Sequence, residues 1–549
     1  MIAPPCVSLC ERVSLDLVGR PSVTGSPDEA SFGLWLAEYL SGLSCFGPKP
    51  DIWTYPVAPG DDRLVVNMLI RGSGTQTVVL TGHYDTVTIQ DYGPLMPIAR
   101  DPYALRRALL AQLSGSTDGR AKRAFDDLES ARFLPGRGLL DMKGGLAAGL
   151  AAMSDIASTG SFVGNILFIA VPDEESTSIG ARAAAAKLAG VANEKGLEIV
   201  AAINLDSIAD NGSGKAGQVL ALGTVGKVLP TAFIVGQPVH SGYAMRGVNA
   251  AVLAASIAAK LEWAPELTDD SAGVPGTAAS LLSMKDDKTG YDVTTPATVF
   301  LFWNVLNHLR DPATVLDVVE KLVEEATTSC LQSLALRAAA SGHSNDAKAM
   351  PPTADIVRYG ELLHEVQLRD PSITQALLQL IQATATLDLP ERCRQMTALV
   401  WEKSGRTGPA VVLGLGSIPY LATAVQDANV IAVIKSFLSD TYLRHGVEIS
   451  AEPYFAGISD MSFFGQADDT KFTSLAADTP VWNASVRLAP GALAQVPTIN
   501  LGPWGRDYHT PLERIQVDYG FRILPALIAD LTRRILSERA LQPNVAQDR

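Results

Sequence analysis

The chain has 549 residues, with 58 acidic side chains against 44 Lys and Arg and a formal net charge of −14. This length exceeds what one hydrophobic core supports and predicts two or three domains. The acidic balance argues against a nucleic-acid or anionic-membrane partner, and no uncharged apolar run of ~18 residues could span a bilayer. Five cysteines without a CxxC pair exclude a disulfide framework. The cysteine usage and the lack of a secretory signal pattern at the N-terminus together predict a cytoplasmic protein.

The first 210 residues alternate strand-like and helix-like segments. Continuous apolar strands separated by helices predict a mostly parallel sheet covered on both faces, which is an α/β domain of three layers. The polar, helix-leaning segment 88–137 interrupts this pattern and indicates an insertion over the upper edge of the sheet. The predicted strands are 63–70, 77–82, 165–171 and 199–205, and the predicted helices are 31–43, 144–158 and 181–190.

The stretch NGSGKA at 211–216 has a hinge-like composition. A second set of elements follows it and indicates a smaller α+β domain. These are a helix at 248–264, a strand at 293–306, a long helix at 313–340 and a closing strand at 409–416. A helix at 430–446, a strand at 447–455 and a terminal helix at 521–541 come last. We therefore predict a discontinuous catalytic domain, 1–210 plus 417–549, around a lid or dimerisation domain at 211–416.

Residues of the metal-ligand type lie where the predicted strands end. His83 follows TVVLTG, Glu175 follows NILFIAVP and Asp206 ends IVAAINL. Asp141 lies at a loop-to-helix junction after PGRG, and His509 lies in DYHTPLE. Because ligands of an open parallel sheet gather at the carboxyl ends of its strands, we expect these side chains to meet at one edge.

Imidazole together with carboxylates suits zinc, and also manganese or cobalt, whereas calcium and magnesium prefer oxygen ligands. Two such ions lie ~3.5–4 Å apart when one carboxylate bridges them. Asp141 is the best candidate for the bridge, which leaves His83 and Asp206 for one ion. Glu175 and His509 then serve the other. A water between the ions would have its pKa lowered from ~15.7 toward ~7, giving hydroxide at neutral pH.

Two further acidic residues have predicted catalytic roles beside the ligands. Glu174 adjoins Glu175 on an irregular turn, so it can take the proton of that water and pass it to a leaving amine. Asp85 can accept a hydrogen bond that fixes the tautomer of His83. Each residue alone also has an ordinary explanation, such as a local His–Asp hydrogen bond or a solvated turn. The joint pattern at strand ends favours the metal site.

Five segments, TGHYDTV, GRGLLDMKGG, VPDEES, NLDS and HTPLE, resemble in order and spacing one family of co-catalytic zinc hydrolases. This is the M20 metallopeptidase family of aminoacylase, carboxypeptidase G, acetylornithine deacetylase and succinyl-diaminopimelate desuccinylase. The resemblance covers nearly the whole chain. It implies Glu174 as general acid/base and two zinc ions whose ligands are His83, Asp141, Glu175, Asp206 and His509.

The stretch VHSGYAMRGVNAA at 239–251 resembles the lid motif of that family. The resemblance implies that His240 polarises the substrate carbonyl, either in its own chain or across a homodimer formed through the lid. Arg246 is a candidate for the substrate carboxylate, with Lys285, Lys288 and Arg310 as competitors. The stretch GISDMSFFG at 457–465 takes the place of the family's substrate loop and implies that Gly457 and Asp460 line the pocket.

The insertion and the enlarged lid resemble the arginine-utilisation branch of the family, the RocB type, which suggests arginine or amino-acid catabolism. We predict a di-metal hydrolase that cleaves the amide bond of a small peptide or N-acyl amino acid by a metal-bridged hydroxide. One alternative is an aminopeptidase or dipeptidase acting on short peptides. An alternative of another class is a non-catalytic homologue that binds an amino acid. The sequence leaves the substrate open.

Overall fold

The computed structural model describes residues 8–46, 50–210, 218–270 and 276–540, so the hinge-like stretch 211–216 lies outside the described residues. The chain divides into two compact units. Unit 1 comprises Met1–Thr224, Thr423–Ala467 and Gly491–Arg549, and unit 2 comprises Val225–Ala422 and Asp468–Pro490.

Unit 2 includes a short segment of the chain that lies within the predicted second part of the catalytic domain, 417–549. Residues 468–490 belong to unit 2. There the Asp478 carboxylate accepts a hydrogen bond from the Gly360 backbone N–H at 3.0 Å, and its carbonyl accepts one from Leu415 at 2.7 Å. The second part of unit 1 is therefore interrupted. The assignment of the units as catalytic domain and lid stays a prediction.

The α-helices of the described residues follow the predicted periodic segments, and several occur where none was predicted. None of the described helices is both long and apolar enough to cross a membrane. The helices are α1 (Leu9–Gly19), α2 (Pro27–Gly42), α3 (Pro102–Leu113), α4 (Gly119–Glu129), α5 (Gly144–Ala157), α6 (Ile179–Lys195), α7 (Ala250–Leu261), α8 (Val315–Ala340), α9 (Ser344–Ala349), α10 (Tyr359–Arg369), α11 (Ile373–Ala383), α12 (Leu389–Ser404), α13 (Ala428–His445), α14 (Met461–Phe464), α15 (Phe472–Ala476) and α16 (Leu524–Ala540).

The described strands fall in both units, with β10 to β15 in unit 2 and the others in unit 1. The strands are β1 (Asp51–Pro56), β2 (Leu64–Arg71), β3 (Ser73–His83), β4 (Phe133–Pro135), β5 (Val163–Val171), β6 (Glu198–Asn204), β7 (Ile208–Asp210), β8 (Val219–Ala221), β9 (Gly223–Thr224), β10 (Gly226–Val228), β11 (Pro230–Val235), β12 (Ser280–Asp286), β13 (Thr298–Asn307), β14 (Asp355–Arg358), β15 (Ala410–Leu415), β16 (Thr423–Ala424), β17 (Ser450–Glu452), β18 (Thr498–Asn500), β19 (Trp504–Arg506) and β20 (Arg514–Gln516).

Unit 1 is built on a sheet with the strand order β1-β2-β5-β3-β6-β18-β8-β17. Its centre is parallel, because β3 pairs in parallel with β5 and with β6, and β6 pairs in parallel with β18. The strands β1 and β2 add an antiparallel edge. Ile166, Leu167, Phe168 and Ile169 are successive and all buried, so both faces of β5 are covered. The predicted α/β class is confirmed.

Glycine allows the N-terminus of α5 to approach the end of β6 closely. A Cβ atom on Gly145 would lie 2.0 Å from the carbonyl oxygen of Leu205, a contact that no side chain tolerates. Leu205 directly precedes Asp206, and Gly145 follows Asp141 by four residues. Gly145, the second glycine of DMKGG, therefore allows Asp141 and Asp206 to lie side by side although they come from separate elements.

We expect Gly145→Ala to destabilise unit 1 by about 2–3 kcal/mol, the upper part of the usual range for overpacking, because the contact is with backbone. The readout is the midpoint of urea unfolding followed by circular dichroism. Gly190→Ala in α6 is the matched control, since nothing lies within 4 Å of its added Cβ. A Gly-to-Ala change inside a helix should leave stability equal or higher. Equal midpoints for the two variants would contradict this account of the glycine.

Unit 2 contains a sheet with the order β10-β13-β11-β15-β14, with β12 paired to β13. Its pairings are antiparallel except for β14 with β15.

Two predicted strands are shorter in the structure. In unit 2 the predicted strand at 293–306 begins later, at Thr298, and in unit 1 the predicted strand at 447–455 is reduced to Ser450–Glu452. Three helices, α10 to α12, occupy a stretch for which the sequence predicted no element.

Candidate metal centre

Three of the five candidate ligands, His83, Glu175 and Asp206, lie at or just after the carboxyl ends of neighbouring strands of unit 1. β3 ends at His83 itself. β5 ends at Val171, three residues before Glu174, and β6 ends two residues before Asp206. Because β5, β3 and β6 are adjacent and parallel, their carboxyl ends meet at one edge of the sheet. The structure thus brings these side chains together as the strand pattern predicts.

Asp141 lies between the two histidines. Its Oδ1 is 3.3 Å from His83 Nε2, and its Oδ2 is 3.2 Å from His509 Nε2. Glu175 Oε1 lies 3.1 Å from the same His509 nitrogen. Asp206 Oδ1 lies 3.9 Å from His83 Nε2. One carboxylate therefore offers one oxygen to each side of the cluster, which is the arrangement that a bridging ligand needs.

Among the described residues, potential ligand atoms within 4.8 Å of one another form three overlapping groups. The groups are His83 with Asp141 and Asp206, Asp141 with Glu175 and His509, and His83 with Glu174 and Glu175. The first two coincide with the predicted division of ligands between two ions. The third places Glu174 at the cluster as well, with its Oε2 at 3.8 Å from His83 Nε2.

Asp85 connects the histidine to the turn that carries the glutamates. It is fully buried, and its carboxylate accepts hydrogen bonds from the backbone N–H groups of Glu174 at 3.2 Å and Glu175 at 3.3 Å. The Thr24 hydroxyl donates to it at 2.8 Å. His83 Nδ1 lies 3.1 Å from the Asp85 carbonyl oxygen and 3.5 Å from a carboxylate oxygen. Asp85 thus orients His83 so that Nε2 faces the cluster, and it also holds the glutamate turn.

Lys143 anchors the turn that follows Asp141, a role that the sequence pattern does not indicate. Its buried ammonium donates to the carbonyl oxygens of Leu17 at 3.0 Å and Arg20 at 2.8 Å. It also lies 4.5 Å above the Phe32 ring. Burial lowers the pKa of Lys143 well below its usual value. The motif DMKGG marks this lysine in the sequence, but its ammonium contacts the backbone near α1 and not the ligand cluster.

A second unpredicted support lies behind the glutamates. Asp173 adopts a left-handed backbone conformation with φ of 68° directly before Glu174. Its carboxylate accepts hydrogen bonds from the Thr177 hydroxyl and from Arg63 Nη1, the latter at 2.6 Å. These contacts stabilise a conformation that is unfavourable for a non-glycine residue by about 1–2 kcal/mol. The turn therefore presents both glutamates at a fixed position.

The cluster holds more acidic groups than its two imidazoles can neutralise. Burial lowers the pKa of His509, but hydrogen bonds to Asp141 and Glu175 outweigh it and raise the pKa to about 10. Burial and the charge of Asp141 raise the pKa of Asp206 to about 7. Burial also raises the pKa of Glu174 well above its usual range. These directions share one cause, which is a buried site with excess negative charge.

Divalent cations fit this donor set. His83 Nε2 is buried without a well-formed hydrogen bond, although carboxylate oxygens surround it. A buried nitrogen without a hydrogen-bond partner raises the free energy of the folded protein, whereas a metal ion would coordinate the lone pair of His83 Nε2. The same ion would offset the mutual repulsion of Asp141, Glu175 and Asp206. Imidazole and carboxylate ligands together suit zinc, manganese or cobalt.

The remaining predicted site residues lie in different places. His240 and Arg246 belong to unit 2, at the two ends of a short exposed helical turn. His240 Nδ1 accepts a hydrogen bond from the Gly242 N–H at 3.0 Å, and Arg246 stacks on Tyr243 at 5.0 Å. Neither is among the side chains that form the cluster groups of unit 1. Their catalytic and substrate-binding roles stay predictions.

Gly457 and Asp460 are in unit 1, in the stretch that resembles the family's substrate loop. The Gly457 carbonyl accepts a hydrogen bond from the Thr224 hydroxyl at 3.1 Å. Asp460 is only 2% exposed, and burial raises its pKa to about 8. The neighbouring Ser459 hydroxyl lies 3.5 Å from Asp206 Oδ2. Asp460 thus follows a residue that contacts the candidate ligand Asp206, and the substrate-binding roles of Gly457 and Asp460 stay predictions.

Comparison with protein-family models matches residues 120–476 to Peptidase family M20/M25/M40. The matched segment is more than half of the 549 residues. The chain belongs to this family. It is accordingly an enzyme that hydrolyses amide bonds, as the motifs predicted.

Relatives and solved structures agree with this membership. The chain is 27% identical to the protein RocB of Bacillus subtilis (strain 168) over 548 residues, which covers 96% of this chain and 94% of RocB. It is 28% identical to YqjN of the same organism over 534 residues, or 95% of each chain. A tripeptidase from Staphylococcus aureus has a similar fold, with a TM-score of 0.53, 15% identity and coverage of 96% and 98%. The predicted resemblance to the RocB branch is confirmed.

Proposed function

We propose that this chain is a two-metal hydrolase that cleaves the amide bond of a small peptide or an N-acyl amino acid. The observation that carries the proposal is the position of Asp141, with one carboxylate oxygen 3.3 Å from His83 and the other 3.2 Å from His509. His83 and Asp206 would hold one ion, and Glu175 and His509 would hold the other. Zinc fits this ligand set, and manganese or cobalt also fits.

When bound, two divalent ions polarise a carbonyl group and lower the pKa of water, which is the chemistry that amide hydrolysis needs. The chain's own residues then handle the proton. Glu174 is held at the cluster by its backbone contact with Asp85 and has a raised pKa because it is buried. A carboxylate of this kind accepts a proton from attacking water and delivers it to the leaving nitrogen. Asp85 keeps His83 in place during these steps.

A role of unit 2 in substrate binding is part of the proposal. His240, exposed in that unit, would polarise the substrate carbonyl, and Arg246 would bind a substrate carboxylate. This role would require unit 2 to act as a lid, in the same chain or in a homodimer. Double replacement of His240 and Arg246 should raise KM and lower kcat while leaving the metal content of unit 1 unchanged.

The substrate is tested with a panel of N-acyl amino acids, dipeptides and tripeptides, assayed with added zinc, manganese or cobalt. Turnover of N-acyl amino acids alone would identify a deacylase. Turnover only of peptides with a free amino terminus would identify an aminopeptidase or dipeptidase, which is the second candidate function. The similarity of the fold to that of a tripeptidase is the reason for including peptides in the panel. N-acyl derivatives of arginine belong in the panel because RocB is a relative over nearly the whole chain. No turnover of any metal-loaded sample would contradict the proposal.

A further inference from the structure

His509 differs from the other candidate ligands in how it is held. Its side chain is 42% exposed, whereas the side chains of Asp141 and Glu175 beside it are 10% and 7% exposed. It lies in the loop 507–513, and its backbone has a left-handed φ of 59°. The loop joins two three-residue strands, β19 and β20. A ligand on an exposed loop must be ordered by contacts elsewhere if it is to bind a metal tightly.

The insertion supplies these contacts through one buried carboxylate. Asp127, in α4, accepts hydrogen bonds from Arg514 Nη2 at 2.7 Å and Nε at 2.9 Å. Both of its oxygens also lie 2.8 Å from Arg506 Nη1. Arg506 and Arg514 immediately flank the His509 loop and pair with each other across the strands β19 and β20. Asp127 therefore fastens both ends of the loop to the insertion.

Two acidic residues of the loop itself also form ion pairs with arginines of the insertion. Asp507 accepts a hydrogen bond from Arg514 Nη1 at 2.6 Å and another from Arg120 Nε, in α4, at 2.7 Å. At the far end of the loop, Glu513 pairs with Arg137 at 2.5 Å. The Arg137 guanidinium also donates to the Thr88 carbonyl at 3.1 Å, where the insertion begins. His509 thus lies between two anchored acidic residues.

An apolar contact adds to the charged ones. The insertion has its own small hydrophobic cluster, separate from the main core, and Leu512 of the loop packs against it. The buried members of the cluster are Tyr92, Ala99, Leu105, Leu109 and Leu128. The strand β4 at the end of the insertion also pairs antiparallel with β20. Backbone pairing, ion pairs and apolar packing therefore all connect the insertion to one loop.

We propose that the 88–137 insertion is a clamp for His509, in which Asp127 positions this ligand through Arg514 and so sets how tightly the Asp141–Glu175–His509 group binds its metal. The inference rests on the proposed two-metal function. Asp127 is a positioning residue, because it contacts the arginines and not the cluster. Loss of a group that hydrogen-bonds a metal ligand directly typically weakens metal binding by 10- to 100-fold, and Asp127 acts through the arginines that hold the loop, so we expect the lower end of this range.

The test is a double-mutant cycle on metal affinity with Asp127→Asn, His509→Ala and the double variant. Cobalt(II) is titrated into metal-free protein and followed by visible absorption, which reports the ligand environment independently of activity. We expect Asp127→Asn alone to weaken binding of the second cobalt equivalent by about 10-fold, with the first equivalent unchanged. In the His509→Ala background the same change should have no further effect.

Controls separate the possible failures. Asp155→Asn breaks an exposed ion pair with Arg533 in unit 1 and should leave both equivalents as in the unmodified protein. If Asp127→Asn does not fold, Arg120→Gln removes an exposed contact to Asp507 and should weaken the second equivalent in the same direction. Equal losses with and without His509, or unchanged binding in both variants, would overturn the clamp. A parent protein that binds no cobalt would instead overturn the two-metal function.

Discussion

Glu174→Gln is expected to lower kcat by about 10²-fold or more while leaving the metal content unchanged, because general acid–base groups contribute rate enhancements of this size. The glutamine has nearly the same shape, so the contact of its backbone N–H with Asp85 at 3.2 Å should persist. A carboxamide cannot accept the proton of attacking water. The measurements are steady-state kinetics on an accepted substrate and elemental analysis of the same sample.

The matched control is Glu198→Gln, an exposed glutamate at the start of β6 in the same unit. This variant should hydrolyse substrate like the parent protein. The pairing of Glu174 with His83 in one cluster group admits a different role, in which Glu174 is itself a ligand. If Glu174→Gln loses an equivalent of metal along with its activity, it is a ligand and not the proton carrier. Retained turnover would contradict both roles.

Asp141→Asn is expected to have a larger effect, since Asp141 belongs to both predicted ligand sets. It is the only residue shared by the His83–Asp141–Asp206 and Asp141–Glu175–His509 groups. A neutral amide is a poor bridging ligand and no longer offsets the charge of two ions. We expect the metal content to fall from about two equivalents to below one, with activity lost beyond the Glu174→Gln level.

Chelation distinguishes this effect from simple misfolding. Ligands that bind only the folded state stabilise it by about 2.7 kcal/mol when present at a hundredfold excess over Kd. Adding EDTA should therefore lower the Tm of the parent protein and change that of Asp141→Asn much less. Asp155→Asn, an exposed carboxylate paired with Arg533, should respond to EDTA like the parent. An Asp141→Asn variant that keeps both ions would contradict the bridging role.

The strand pattern is sufficient to predict that His83, the glutamate turn and Asp206 meet, because parallel neighbours bring their carboxyl ends to one edge of the sheet. β3, β5 and β6 occupy the predicted positions within a few residues, and they carry His83, the glutamate turn and Asp206. The chemistry of buried imidazole and carboxylate then predicted the ligand inventory. Local periodicity and ligand chemistry together cover this part of the site.

What the sequence could not predict are contacts between elements that are distant in the chain. Arg514 and Asp127 are separated by 387 residues, and no local pattern marks them as partners. The return of residues 468–490 to unit 2 likewise depends on Asp478 meeting the backbone of Gly360. Lys143 lies within the motif DMKGG, but its hydrogen bonds to the carbonyl oxygens of Leu17 and Arg20 are tertiary contacts that the motif does not reveal. Such contacts depend on the three-dimensional arrangement, which one sequence does not encode locally.

The metal content of the parent protein, after reconstitution with zinc and removal of unbound ions, tests the two-metal centre most directly. The cluster offers two ligand groups that share Asp141, and each contains a histidine. We therefore expect about two equivalents of zinc per chain, with hydrolysis of amide substrates lost on chelation and restored on adding zinc back. A content well below one equivalent in folded protein would contradict the two-metal centre.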